Sequence, residues 1–163
     1  MKRKFVILLS LLMSVSLVQA QKTTRKEREA IKKENTKELL ASQHFTFEAT
    51  SAQPMSGRQI NLTSDYELTL HGDTIEAYLP YFGRAYTAPT SQNEGGIKFK
   101  ELAKSKTETF NEKKSMYNYE IEVDANGDNY TLVLRVGSTG YGYLTVNSNS
   151  RQPISFSGEL KFD

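Results

Sequence analysis

The sequence predicts a mainly β (α+β) domain: an antiparallel meander of about eight to nine strands, as a sheet or partly open barrel, behind one N-terminal helix. Two observations carry this. From His44 onward apolar residues recur at every second position, the period of a half-buried strand. Short turn signals separate the runs, Asn126-Gly127 being the strongest of them. Such a pattern suits strands joined by tight reversals rather than by crossover helices.

The chain opens with a segment of another kind. Lys2, Arg3 and Lys4 precede an apolar run from Phe5 to Val18, and Val18-Gln19-Ala20 offers small residues at a cleavage site. This is the three-part plan of a secretory signal peptide, expected over residues 1–20. The run is too short and too abruptly ended for a spanning helix. Export to the periplasm or the exterior is therefore expected, with 143 residues in the mature chain. Gln21 stands where a lipid-bearing cysteine would be, so an anchor of that type is not expected.

Residues 21–43 read as a charged helix. Thr24 and Glu27 match a capping box. Glu29 and Lys33 are spaced to support each other. Ile31, Leu39 and Leu40 provide the apolar face, so the last turns are expected to dock on the core.

Residues 44–163 form the expected β domain. Phe45, Phe47 and Ala49 mark the first strand, and Pro54 to Gly57 a turn. A short strand follows at Gln59–Leu62, then a hairpin from Tyr66 to Leu79 that reverses at Gly72-Asp73. Residues 80–96 read as a long irregular loop. Ile97 and Phe99 begin another strand, and Lys104–Lys114 is polar and ambiguous. Tyr117 to Val123 and Tyr130 to Val136 are two arms of a hairpin about Asn126-Gly127. Tyr141–Val146 and Ile154–Phe162 close the chain.

Composition narrows the function. Loss of Lys2, Arg3 and Lys4 leaves 18 basic residues against 19 acidic ones. The helix carries a net +3 and the β domain −4, so a nucleic-acid footprint is not expected. Weak contact of the basic helix with a membrane surface is the sharp reading of its charge, and a solvated face the plain one. The mature chain offers no second long apolar segment, and no transmembrane span is expected in it. The absence of cysteine removes disulfides, thiolate metal sites and cysteine nucleophiles.

Familiar catalytic patterns do not occur. His44 and His71 stand far apart in sequence, each without a local partner at ligand spacing. Asp124, Asn126 and Asp128 imitate the start of a calcium loop, but Asn129 and Arg135 occupy positions that should be glycine and glutamate. The turn reading is preferred there. No metal and no cofactor is expected. The positive signal is aromatic: Tyr78, Tyr81, Phe82 and Tyr86 surround Arg84 on the loop after a strand, a set suited to ligand contact. The alternative for these rings is to fold inward and cap the sheet. Tyr141 and Tyr143 share one strand face.

The run Ala77-Tyr78-Leu79-Pro80-Tyr81-Phe82-Gly83-Arg84-Ala85-Tyr86, with Gly95-Gly96-Ile97-Lys98-Phe99 after it, resembles a secreted Bacteroidetes family, domain of unknown function 4251. The charged helix and the closing Phe156-Ser157-Gly158 strand extend the likeness over most of the mature chain. The resemblance implies export and one β-rich domain. It implies no activity, cofactor or catalytic residue. In that setting Asp73-Thr74-Ile75 matches the acceptor triplet for O-glycosylation of exported Bacteroidetes proteins, with Thr74 as the modified residue.

The leading expectation is a non-enzymatic binding module of the cell envelope, partnered by a small ligand or an envelope protein. One alternative is a glycan- or cell-wall-directed hydrolase built on two strand-borne carboxylates. Another is a structural subunit of an envelope complex.

Overall fold

A computed structural model describes residues 24–86 and 95–162. The signal-peptide reading and the middle of the loop after Leu79 lie outside the described residues. Helix α1 (Arg25–Ala41) comes first, then nine strands: β1 (His44–Pro54), β2 (Ile60–His71), β3 (Thr74–Leu79), β4 (Ile97–Leu102), β5 (Ser105–Asn111), β6 (Met116–Ala125), β7 (Asp128–Gly137), β8 (Tyr141–Ser148) and β9 (Ile154–Leu160). The chain divides into two units between Ile31 and Lys32.

The capping box forms as expected. Thr24 N donates to Glu27 Oε2 at 2.7 Å, and Glu27 N reaches back to Thr24 Oγ1 at 3.4 Å. Glu29 pairs with Arg25 at 3.1 Å instead of making the expected pair with Lys33. In the larger unit, Thr36 and Leu40 are the buried residues of the helix. Thr36 Oγ1 is satisfied by Lys32 O at 2.7 Å.

All nine strands belong to one antiparallel sheet, in the order β4-β3-β2-β1-β9-β8-β7-β6-β5. The strands at its two ends, β4 and β5, are consecutive in the chain and joined only by Ala103 and Lys104. A link this short forces the sheet to curl until its ends meet at that corner, because two residues span less than about 8 Å. Lys104 N donates to Glu122 O on β6 at 2.8 Å, and Asn126 Nδ2 donates to Lys98 O on β4 at 2.9 Å, so the seam is stitched from both sides.

Alternation then sorts every strand. Phe45, Phe47, Leu68, Leu70, Tyr119, Ile121, Leu132, Leu134, Leu144 and Phe156 are among the side chains buried on the concave face. Polar residues and several tyrosines take the convex one. Two sequence expectations are revised. Residues 59–70 are not two strands; β2 runs unbroken from Ile60 to His71 and stays paired with β1 across a bulge between Ala49 and Ser51. Phe162 does not continue the buried face of β9 but lies beyond the strand, partly exposed.

Candidate functional site

The register of the convex face brings distant residues into one row. Tyr141 on β8 stands opposite Glu159 on β9, Glu159 opposite Glu48 on β1, Glu48 opposite Glu67 on β2, Glu67 opposite Tyr78 on β3, and Tyr78 opposite Lys98 on β4. Directly opposed side chains lie about 4.5–5.5 Å apart at Cβ, within contact range. Lys161 inserts its ammonium among the acids, bonding Glu67 and lying 3.7 Å from Glu48. Glu67 raises the Lys161 pKa above its ordinary value through that bond, and Glu48 adds to it. A lysine also stands over each tyrosine at the ends of the row. Lys98 Nζ lies 4.8 Å from the Tyr78 ring centre and Lys32 Nζ 5.6 Å from that of Tyr141.

At the β8 end the row opens into a shallow depression of about 270 Å³ between Tyr141, Tyr143, Thr50, Ser157 and Glu159. Its floor is backbone, at Gly142 and Gly158, which face each other across β8 and β9. A side chain at either glycine would first meet a neighbouring strand's carbonyl oxygen, that of Arg135 at position 142 and that of Glu48 at position 158, with the Phe47 ring close behind. The tyrosines are therefore held on a flat, closely packed support. Tyr141 is 59% and Tyr143 61% exposed. Arg135 stands opposite Tyr143 on β7 and extends the polar rim. Two rings, two hydroxyls, a carboxylate and a guanidinium on one rigid face can bind a polar ligand that has an apolar surface.

The sequence-predicted residues separate into two places. Tyr78 lies in the convex row and also stacks on Tyr66, centres 5.7 Å apart. Tyr81 turns back over Gly83, and its hydroxyl donates toward Arg84 O at 2.8 Å and Gln152 O at 3.1 Å. Arg151 lies 5.1 Å from its ring centre. Burial pushes the Tyr81 phenol pKa up. The main chain joins in: Gln152 N donates to Arg84 O at 3.0 Å and Tyr86 N to Ser150 O at 2.7 Å. Tyr81 thus pins its loop onto the β8–β9 connection, leaving Phe82, Arg84 and Tyr86 exposed beside it. Thr74 begins β3 opposite His71 and Leu102, half-buried.

A larger depression of about 500 Å³ lies against the β6–β7 turn, where the calcium-like residues sit. Asn126 and Gly127 both take positive φ, as a type I′ turn needs, and Asp124 stands opposite Asn129. Their polar atoms are used locally. Asp124 accepts from Asn129 Nδ2 at 2.7 Å and pairs with Lys104 at 3.3 Å. Asp128 accepts from the hydroxyls of Ser148 and Ser150 and from the amides of Asn129 and Asn149.

Sequence reasoning missed two features. The glutamate row comes from three strands, brought together by two registers, and has no local signal. His44 and His71, separate in the sequence, are direct cross-strand partners, with Nδ1 atoms 3.4 Å apart. Only the pairing of β1 with β2 reveals that.

Residues 27–160 match the family model described as Domain of unknown function (DUF4251). No curated protein matches. A solved structure that is similar is the crystal structure of a DUF4251 family protein from Bacteroides eggerthii DSM 20697 at 1.95 Å resolution. The two share 15% identity at a TM-score of 0.62, over 80% of this chain and 87% of that one. At that identity the likeness is one of fold.

Proposed function

The chain belongs to the DUF4251 family, and from that premise we propose an exported protein of the cell envelope that binds a saccharide without transforming it. The observation that carries the reading is the pair Tyr141 and Tyr143, both exposed on a glycine-backed strand beside Thr50, Ser157 and Glu159. The flat C–H face of a sugar ring suits a tyrosine ring. Its hydroxyls suit the carboxylate and the two side-chain hydroxyls at the rim. Rigid aromatic anchors lose little conformational entropy on binding. The described residues include no helix long and apolar enough to cross a membrane. The candidates Phe82, Arg84 and Tyr86 would offer a second contact surface, and Thr74, beside the β2–β3 turn, would carry the proposed glycan.

The hydrolase alternative draws on the glutamate row, since a glycosidase needs a pair of facing carboxylates and Glu48 stands opposite both Glu67 and Glu159. Two features weigh against it. The Lys161 ammonium sits between Glu48 and Glu67, where a glycosidic oxygen would have to enter. The row also lies on an open convex face rather than in a water-excluding cleft.

Titration of the 15N-labelled protein with cell-wall fragments and neutral oligosaccharides tests the proposal. Saturable shifts on β8 and β9 are expected, weakened at least about tenfold (1.4 kcal/mol) by Tyr143→Ala. Shifts elsewhere, or none across the panel, refute this site; cleavage of any panel member favours the hydrolase.

A further inference from the structure

We propose that His44 and His71 form a tetrahedral divalent-metal site of the zinc class, with two protein nitrogens and two solvent positions. The two residues are direct partners across β1 and β2, and their Nδ1 atoms face each other at 3.4 Å. With metal–nitrogen bonds of about 2.0–2.1 Å, that separation subtends about 110° at a shared ion, the tetrahedral angle. A right-angled site of the square-planar or octahedral kind would bring the nitrogens to about 2.9 Å. The observed spacing therefore selects zinc-like geometry.

The pair has little other reason to face each other this way. An N–H···N bond at 3.4 Å is longer than a good hydrogen bond. The rings are tilted by 52° with centres 5.7 Å apart, so they do not stack. Both residues are exposed, so core packing does not dictate their rotamers. Their backbones, by contrast, are clamped. Gln43, just before His44, accepts from the amide of Gly72, just after His71, at 2.9 Å. Lys106 Nζ donates to Gly72 O at 2.7 Å and to Gln43 Oε1 at 3.1 Å, tying both neighbours to β5. The Lys106 charge is compensated by Asp73 at 3.0 Å. Helix α1 ends at Ala41, three residues before His44, and its carbonyl end favours a cation nearby. Two ligands held at the right spacing before metal arrives lose less entropy on binding it.

Among the described residues no group of three or more His, Cys, Asp or Glu is gathered around an ion site. The proposed ion keeps open positions, as ligand-binding zinc sites do and closed structural ones do not. The site lies at the end of the β1–β2 pair on the convex face and does not depend on the saccharide reading.

The test uses Zn2+ alone and Co2+ alone on the protein purified without a polyhistidine tag, at about pH 7.5. Calorimetry is expected to show one saturable Zn2+ equivalent. Co2+ should give the intense visible bands of a tetrahedral complex. Both signals should be lost in His44→Gln and in His71→Gln, each of which should melt at the wild-type temperature without metal. Glu112→Gln, remote in sequence, is the control and should bind as wild type. Absence of a saturable equivalent in the folded wild type overturns the proposal, as does undiminished binding in either histidine variant.

Discussion

A methyl group at position 158 would run into the carbonyl oxygen of Glu48 and stand 2.9 Å from the Phe47 ring. Neither contact can relax without parting β1 from β9. Gly158→Ala is therefore expected to cost about 3 kcal/mol or more, read as a lower urea midpoint. At Gly127 the demand is conformational instead, with φ +76° in the turn and open space around the α-carbon. The turn role of Gly127 is readable from Asn126-Gly127 alone. The role of Gly158 is not, because the atom that excludes a side chain belongs to a residue far away in the chain. Asp128 makes a prediction in pH. Burial acts to raise its pKa, but the Ser148 and Ser150 hydroxyls and the Asn129 and Asn149 amides together outweigh burial and lower it. A carboxylate with a depressed folded pKa stabilises fully above its unfolded value, about 3.9, and loses that contribution as pH falls through the folded value. The stability advantage of wild type over Asp128→Asn should thus be greatest near neutrality and shrink below about pH 4 in acid titrations.

Among the elements, helix α1 shows how propensity and packing divide the work. Its start is local chemistry, a capping box written in four residues. Its end is held by burial of Thr36 and Leu40. Leu40→Ala should cost about 2–4 kcal/mol by thermal melting, while exposed Glu38→Ala should stay within about 0.5 kcal/mol. Strand β2 shows the reverse case. Residues 63–65 break the period-two pattern and suggest an interruption. The ladder does lapse at residues 62–65, opposite Thr50, but β1 pairs with both flanks, Ala49 with Tyr66 and Ser51 with Asn61, and the extended chain runs on between them. Strand β5 is polar nearly throughout and ambiguous by sequence. It forms because β6 presents an open edge, and Tyr119 on β6 donates its hydroxyl to Glu108 at 3.0 Å. The same register logic gathered the convex row, whose tyrosines and glutamates come from five strands.

For the whole molecule, closure depends on one short link. Ala103 and Lys104 join the two ends of the sheet order, and Ala103 N donates to Asp73 O at 2.8 Å. Inserting two glycines between them should loosen the seam without disturbing the hairpins on the far side. The expected result is faster amide hydrogen exchange in β4 and β5, with β7, β8 and β9 still protected. Uniformly faster exchange would mean that the sheet melts as one unit and that the seam is not a separate weak point.

Elements whose causes lie within a few residues were legible before any fold was known. These are the capped helix, the alternating strands, the Asn126-Gly127 and Gly72-Asp73 reversals, and the family likeness carried by the Tyr78–Tyr86 segment. Alternation also set which residues are buried, because a strand has only two faces. Tertiary structure decided which strands meet and in what register. That choice turned Tyr81 from a candidate contact into an anchor, placed Tyr141 and Tyr143 beside Glu159, and set His44 against His71. Register is a property of two strands together. It is fixed by packing, turns and the bulge acting over the whole sheet, and no single stretch of chain contains it.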